Sequence, residues 1–208
     1  MVPVASGSDY GGSLRTPAGF CGVVGIRPSP GVVAAETRPV GLLPFSVLGP
    51  MGRTVDDANL LLQAQMGPNP HDPFSTMFAD ELALPLKAAD LGSIRAMLSA
   101  DLGSAAMSND YRKIFIERTK IFQHHFAHAF MGDPDFTHGD NAFEVLRGVN
   151  FVAAHGDRVR DHRDKLSPNV VDNVDRGLNY NLADVAEAHL QQTQLARRWL
   201  CLLYTSDA

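Results

Sequence analysis

The sequence has few of the features that mark secreted, membrane-bound or nucleic-acid-binding proteins. It contains only two cysteines, which is too few for a disulfide framework. No stretch reaches the roughly 18 apolar residues that a membrane span needs, and residues 1–6 lack the basic start of a signal peptide. The formal net charge of -5 argues against a nucleic-acid-binding surface, which needs a basic patch. We therefore expect a cytoplasmic protein with no membrane or nucleic-acid partner.

The remaining composition is typical of a soluble α/β protein. The 208 residues are 45% hydrophobic and 20% charged, an ordinary balance for a domain with a sizeable core. Short apolar runs predict buried strands over residues 2–6 and 22–26, with a short helix over 14–20 between them. Frequent prolines and glycines predict an irregular segment over 27–51 with only brief extended pieces. Another strand is expected over 93–99.

Helical patterns dominate the rest of the chain. Thr54 is a suitable N-cap for a helix that ends before Gly67-Pro68. Two amphipathic helices are expected over 143–165 and 182–199, and Ser167-Pro168 breaks the chain between them. A further helix from Asp110 carries an apolar stripe that predicts core packing, formed by Tyr111, Ile114, Phe115, Ile121, Phe122 and Phe126.

The most informative local feature is Ser13, which directly follows Gly11 and Gly12. Glycine lets the backbone turn sharply, so a serine there can attack a carbonyl while neighbouring N–H groups stabilise the oxyanion. Such a run is also common as a plain turn. Phosphate binding is disfavoured, because neither G-x-G-x-x-G nor G-x-x-x-x-G-K-[ST] occurs. From these residues alone, catalysis and a structural turn both stay open.

Two longer segments carry a resemblance to a known family. Residues 7–28 (GSDYGGSLRTPAGFCGVVGIRP) resemble the hallmark segment of the amidase signature family, and residues 49–58 (GPMGRTVDDA) resemble a second segment of it. Asp72-Pro73-Phe74 resembles the family's D-P loop, and weaker likeness continues to about Leu200. The resemblance implies the amidase-signature fold, an α/β fold with a mixed central sheet flanked by helices.

The resemblance also implies how much of that fold is present. It predicts that residues 1–200 form one truncated amidase domain whose N-terminal half is missing. Residues 201–208 look like translated sequencing adapter, so we expect a non-native tail there.

The resemblance further implies roles for the residues around Ser13. Ser13 would be the acyl-forming nucleophile, and the backbone N–H groups of Tyr10, Gly11 and Gly12 would form the oxyanion hole. The expected supporting residues are Ser8, Asp9 and Arg15. For Asp9 and Arg15 we favour a purely structural ion pair. No cofactor and no metal are expected.

The family's proton relay has no counterpart in the sequence. These enzymes use Ser–cis-Ser–Lys, with the lysine and the bridging serine upstream of the nucleophile. No lysine precedes Ser13, and the lysines of this chain are Lys87, Lys113, Lys120 and Lys165. An unactivated serine is a weak nucleophile at neutral pH. We therefore expect the parent protein to be an amidase of linear amides and this fragment alone to be inactive.

Three alternatives to a stand-alone amidase remain open. The chain could derive from the glutamine-hydrolysing subunit of a tRNA-dependent amidotransferase, which uses the same chemistry. It could derive from an amidase-like binding protein without catalysis, or it could be a soluble α/β domain with a structural turn. The expected partner is a small-molecule amide substrate, and the oligomeric state is not readable from the sequence.

Other reactive side chains are interpreted as structural. Cys21 lies in an apolar run and is expected to be a buried thiol. His124 and His128 are spaced as zinc ligands on one helix, but no further ligands accompany them. A triad of Ser13 with His155 and Asp157 is possible in principle but disfavoured.

Overall fold

A computed structural model describes residues 2–38, 40–75 and 86–204. The chain divides into two compact units, Met1–Ala88 and Ala89–Ala208.

The first unit is a small antiparallel sheet with two helices. Its elements are β1 (Val4–Asp9), α1 (Arg15–Cys21), β2 (Val24–Gly25), β3 (Val47–Gly52) and α2 (Val55–Gln65). The strand order is β1-β3-β2, and both pairings are antiparallel. The strands predicted over 2–6 and 22–26 and the helix over 14–20 are therefore confirmed in place. Thr54 caps α2 as predicted, accepting a 3.1 Å hydrogen bond from the N–H of Asp57.

The prediction of an irregular segment over 27–51 is wrong at its end. β3 begins at Val47, which is only 2% exposed, and β3 is the central strand of the sheet. Gly49 and Pro50 concealed it, since both residues are unusual inside a strand. Gly49 is needed because a Cβ there would lie 2.4 Å from the carbonyl oxygen of Ile26. Pro50 cannot donate a hydrogen bond, but its carbonyl accepts one of 3.0 Å from the N–H of Ile26.

A small apolar core holds α2 against the segment that precedes β3. Val32, Val33 and Leu62 are buried together. The partly buried side chains packed around them are Ile26, Leu48 and Met66. Leu14 has no exposed surface, so the residue directly after Ser13 anchors its turn in the interior.

The second unit is mainly helical. Its elements are β4 (Arg95–Leu98), α3 (Asn109–Phe122), β5 (His128–Met131), α4 (Gly139–His162), α5 (Pro168–Asn179) and α6 (Leu182–Tyr204), with short 3-10 helices at Leu91–Ser93, Gln123–His125 and Arg163–Lys165. β4 and β5 pair in parallel. The backbones of α4 and α5 approach closely at two glycines, because a Cβ on Gly177 would lie 2.3 Å from the carbonyl oxygen of Gly148.

The strand predicted over 93–99, the helices over 143–165 and 182–199 and the break at Ser167-Pro168 are confirmed. Ser167 also caps α5, a helix that was not predicted, and Pro168 is its first residue. One other expectation for this unit is wrong. α3 was expected to pack its stripe into a core. None of its residues is buried, and Tyr111, Ile114 and Ile121 are 70%, 53% and 67% exposed. Periodicity marks an apolar face, but it does not supply a surface to cover that face.

The structure also places the reactive side chains that the sequence singled out. Cys21 was expected to be buried, but it is exposed at the end of α1. His124 lies in a 3-10 helix and His128 in β5, so the two do not share a helix. Across the described residues, no group of three or more side chains could hold a metal ion. None of the described helices is long and apolar enough to cross a membrane.

Candidate active site

Residues 10–14 form the Gly-Gly-Ser turn, which joins the end of β1 to the start of α1. Gly12 has φ of 113°, a backbone conformation that favours glycine. Its carbonyl accepts a 2.7 Å hydrogen bond from the N–H of Thr16. Ser13 is exposed, whereas Gly12 and Leu14 on either side of it are buried. The turn therefore presents the Ser13 hydroxyl outward from a fixed backbone.

The turn is built around one buried carboxylate, Asp9. This residue has no exposed surface, and its Oδ1 accepts a 2.8 Å hydrogen bond from the N–H of Gly12. Its Oδ2 accepts a 3.3 Å hydrogen bond from the N–H of Leu14. Arg15 donates from Nε to Oδ2 at 2.9 Å and from its terminal nitrogen to Oδ1 at 3.1 Å. Asp9 and Arg15 thus form the structural ion pair that the sequence suggested.

These contacts decide the charge of Asp9. Burial by itself would raise the pKa of the carboxyl group, but hydrogen bonds from Arg15, Gly12 and Leu14 outweigh it. They hold the pKa of Asp9 well below its ordinary range. The same bond raises the pKa of Arg15. Asp9 is therefore an ionised structural acceptor rather than a group that exchanges a proton near neutral pH.

One of the three predicted oxyanion donors needs correction. The N–H of Gly12 points at Asp9 and is already used, so it is not available to a substrate. The N–H groups of Gly11 and Ser13 have no acceptor among the described residues. The N–H of Tyr10 belongs to the same peptide group as the carbonyl of Asp9. Ser8, expected to support the site, lies exposed on β1 opposite Leu48 and makes no side-chain hydrogen bond within the described ranges.

Sequence reasoning missed Arg27, which lies just after β2. Its side chain is 25% exposed and reaches the turn from outside the Gly-Gly-Ser segment. One terminal nitrogen donates to the carbonyl oxygen of Asp9 and, at 3.2 Å, to Asp9 Oδ1. The other terminal nitrogen donates to the carbonyl oxygen of Phe45 at 3.0 Å. The ring of Phe45 also contacts the ring of Tyr10, with 5.5 Å between centroids.

A second ionic cluster fixes the segment that carries Phe45. Arg38 and Asp72 are almost fully buried and form an ion pair of 3.0 Å. Arg38 also donates to the carbonyl oxygens of Ser46 at 3.2 Å and Gly41 at 3.1 Å. Burial would raise the pKa of Asp72, but the hydrogen bonds led by Arg38 lower it. Asp72 was noted in the sequence only for its resemblance to a loop motif, with no partner predicted.

The described residues supply no proton acceptor to Ser13. Its hydroxyl makes no hydrogen bond to any of them, and Lys87, the one lysine within the first unit, is exposed. His155 and Asp157 lie two residues apart on α4, a spacing at which side chains do not face each other. Asp157 is instead paired with Arg160 at 2.8 Å. The geometry thus provides a presented hydroxyl and oriented backbone donors without a base.

Comparison with known proteins finds a matching family and several relatives. The Amidase family model matches residues 1–176. A glutamyl-tRNA(Gln) amidotransferase subunit from Synechococcus sp. (strain JA-2-3B'a(2-13)) is 41% identical over 109 residues, which cover 48% of this chain and 21% of that relative. An acylamidase from Rhodococcus erythropolis is 31% identical over 123 residues, covering 59% of this chain and 26% of the relative. The chain thus spans only a small part of the curated relatives that it matches.

A solved structure shows the same fold. The crystal structure of a bacterial aryl acylamidase of the amidase signature enzymes matches with a TM-score of 0.83 at 22% identity. The match covers 97% of this chain and 44% of that one. The predicted mixed α/β fold is therefore confirmed.

Proposed function

Because this chain belongs to the amidase signature family, we propose that Ser13 is the nucleophile of an enzyme that hydrolyses carbon–nitrogen amide bonds. The observation that carries the proposal is the Gly-Gly-Ser turn. An exposed Ser13 lies between two residues, Gly12 and Leu14, whose N–H groups are tied to the buried Asp9. A plain surface turn has no need of a buried carboxylate at its centre.

In the proposed reaction the Ser13 oxygen attacks the amide carbonyl carbon, and the carbonyl oxygen takes up the negative charge. The N–H groups of Tyr10, Gly11 and Ser13 stabilise that oxyanion, in place of the set that included Gly12. The carbon–nitrogen bond then breaks, a proton is delivered to the nitrogen, and the amine leaves. Water hydrolyses the acyl-enzyme and regenerates Ser13. Preorganised donors of this kind contribute about 3–4 kcal/mol each.

The proposal places the proton acceptor, a lysine acting through a bridging serine, in polypeptide outside these 208 residues. Support comes from the hydrogen bonds of the turn among the described residues, none of which joins the Ser13 hydroxyl to a base. Residues 1–200 would then be part of one amidase domain, and residues 201–208 would not belong to it. On this view the 208-residue chain alone does not turn over amides.

A second candidate is the amidotransferase reaction, in which glutamine is the amide and the protein works in a larger assembly. The observation in its favour is that several relatives are named as subunits of glutamyl-tRNA(Gln) amidotransferase, one of them at 41% identity. The acylamidase matches over a longer stretch, 123 residues, but at 31% identity. We rank the stand-alone amidase first because residues 7–15 (GSDYGGSLR), followed by residues 27–30 (RPSP), resemble those enzymes.

The test uses the protein at the full length that its gene encodes. A tagged fluorophosphonate should label Ser13, and the Ser13→Ala variant should take up no label. Ser29→Ala, which removes another exposed serine of the same unit, should label as the unchanged protein does. Ammonia release from glutamine, measured beside hydrolysis of an aryl amide, separates the two candidate functions. A folded protein that binds amides but leaves Ser13 unlabelled would support the non-catalytic alternative instead.

The inactivity of the chain alone has its own test. Purified 208-residue protein is incubated with an aryl amide, and product is followed over hours. No release above the buffer rate is expected. Turnover that disappears in Ser13→Ala would contradict the proposal that the base lies outside this chain.

A further inference from the structure

The Gly-Gly-Ser turn has one support that lies outside the segment typical of a nucleophile turn, and this is Arg27. It follows β2 by two residues and is separated from Asp9 by 18 positions. Its two terminal nitrogens bind different targets, the carbonyl of Asp9 and the carbonyl of Phe45. A single side chain therefore joins the end of β1 to the segment just before β3.

The bond to the Asp9 carbonyl has a specific geometric consequence. That carbonyl and the N–H of Tyr10 belong to one peptide group, which is planar and trans. In such a group the N–H points opposite to the C=O, so fixing one direction fixes the other. Arg27 thereby sets the direction of the Tyr10 N–H, the first donor of the proposed oxyanion hole.

The other peptide groups of the turn are held by a different residue. Asp9 binds the N–H of Gly12 and the N–H of Leu14 through its carboxylate. The Asp9 carboxylate does not bind the peptide between Asp9 and Tyr10. Asp9 is the last residue of β1 and pairs there with Val47. Arg27 adds a restraint on the Asp9 carbonyl, and its 3.2 Å bond to Oδ1 aligns it with the carboxylate of the same residue.

The far end of Arg27 is itself anchored. Phe45 packs its ring against Tyr10, and the next residue, Ser46, is bound through its carbonyl by Arg38. Arg38 is held by the buried Asp72. The segment that Arg27 binds at Phe45 is therefore itself fixed by Arg38 and Asp72. The Arg27 guanidinium consequently has a defined position.

We propose that Arg27 is a positioning residue that orients the Tyr10 N–H toward the oxyanion. The proposal rests on the proposed function, in which Ser13 attacks a carbonyl. Arg27 acts through the Asp9–Tyr10 peptide and does not itself touch the substrate. Its removal should weaken stabilisation of the transition state while leaving ground-state binding nearly unchanged.

The experiment measures fluorophosphonate labelling of Ser13 in the full-length protein, because the phosphoryl oxygen of this probe occupies the oxyanion position. Arg27→Met should lower the maximal labelling rate per folded molecule by about 10-fold or more, since loss of an oxyanion donor costs about 10²–10³-fold. The probe concentration at half-maximal rate should stay within about 2-fold, as expected for an interaction made only in the transition state. Arg27→Lys keeps the charge but cannot reach both carbonyls. Its maximal labelling rate should therefore lie between those of the unchanged protein and Arg27→Met.

The matched control is Arg53→Met, which removes an exposed arginine of the same unit. This variant should label at the unchanged rate. A merely structural role for Arg27 would lower the melting temperature of the Met variant but leave the labelling rate of its folded fraction equal to that of the control. Equal rates for the two Met variants would overturn the proposal while the proposed function stood.

Failure of the proposed function looks different. In that case Ser13 takes up no label in any variant, Ser13→Ala behaves like the unchanged protein, and both proposals fall. NMR order parameters of the backbone amides in the 208-residue chain then still decide the structural claim. The order parameter of the Tyr10 amide should be lower in Arg27→Met than in Arg53→Met, and equal values would show that Arg27 does not fix this peptide.

Discussion

Replacement of Asp9 by asparagine is the most direct test of how the Gly-Gly-Ser turn is held. The substitution keeps the shape of the side chain but removes its charge and one acceptor oxygen. In the unchanged protein, Asp9 Oδ1 accepts hydrogen bonds from Gly12, Arg15 and Arg27, and Oδ2 accepts them from Leu14 and Arg15. In Asp9→Asn, an amide nitrogen that can only donate must face one of these sets of donors.

The magnitude follows from burial. Asp9 has no exposed surface, so the guanidinium groups and N–H donors left behind gain little from water. Breaking a buried ion pair by removing one partner costs about 3–5 kcal/mol. Because Arg15 is 55% exposed and recovers part of its hydration, we take the lower figure, about 3 kcal/mol. For a unit of this size, roughly 4–8 °C of melting temperature is lost per kcal/mol, which gives a fall of about 12–24 °C.

The assay is thermal unfolding of the 208-residue chain at pH 7, followed by circular dichroism and by scanning calorimetry. The control is Asp56→Asn, which removes an exposed carboxylate from the first turn of α2. That change should cost only about 0.3–1 kcal/mol, the size of a helix-end charge effect. If Asp9→Asn melts within a few degrees of the control, the carboxylate does not hold the turn and the reasoning is refuted.

Three further predictions follow from described contacts. The pKa values of Asp9 and Asp72 are lowered on folding, so the native state binds fewer protons than the unfolded state near pH 4. The stabilisation from these two carboxylates should be complete above that pH and decrease as the pH drops below it. A plot of melting temperature against pH should fall less steeply in Asp9→Asn than in the unchanged protein. Gly31 has φ of 85°, and a Cβ there would lie 1.7 Å from the carbonyl oxygen of Phe74. Gly31→Ala should therefore lower the free energy of unfolding in urea by about 2 kcal/mol or more. Gly41→Ala is the control and should be nearly neutral, because no atom lies within 4 Å of a Cβ built there. Cys21 is exposed, so in a Cys201→Ser background it should react with a thiol reagent without denaturant, and a thiol that reacts only in urea would contradict the structure.

The sequence predicted those parts of the fold that depend on local chemistry. Thr54 caps α2 because a hydroxyl at that position satisfies an orphan N–H, and this is visible in the sequence. β3 was missed because its membership of the sheet depends on pairing with Val4–Asp9, roughly 40 residues earlier. The Gly49-Pro50 pair inside it indicates a loop when it is considered alone. Pairing with a distant strand therefore determined the structure of this segment, although its local sequence favours a loop.

The same distinction applies to the candidate site. The Asp9–Arg15 pair spans six residues and could be predicted from the turn itself. Arg27 and Arg38 reach partners 18 and 34 residues away, and nothing in their neighbouring sequence specifies those partners. The error over Gly12 has another cause, since a resemblance identifies the turn but not the direction of each N–H. The hydrogen bond from the Gly12 N–H to Asp9 shows that direction, and it depends on the folded path of the whole turn.

The charge state of Asp9 indicates that this residue holds the turn in place and does not accept the proton of Ser13 in the proposed reaction. A carboxylate whose pKa is held well below its ordinary range is a poor base at neutral pH, because it binds a proton too weakly to remove one from a hydroxyl. Its loss should therefore lower the labelling rate of Ser13 by the same factor across neutral pH. The shape of the pH profile should instead follow the group that accepts the proton of Ser13. A change of that shape in Asp9→Asn would mean that Asp9 takes part in the transfer, and the assignment of a separate acceptor would have to be abandoned.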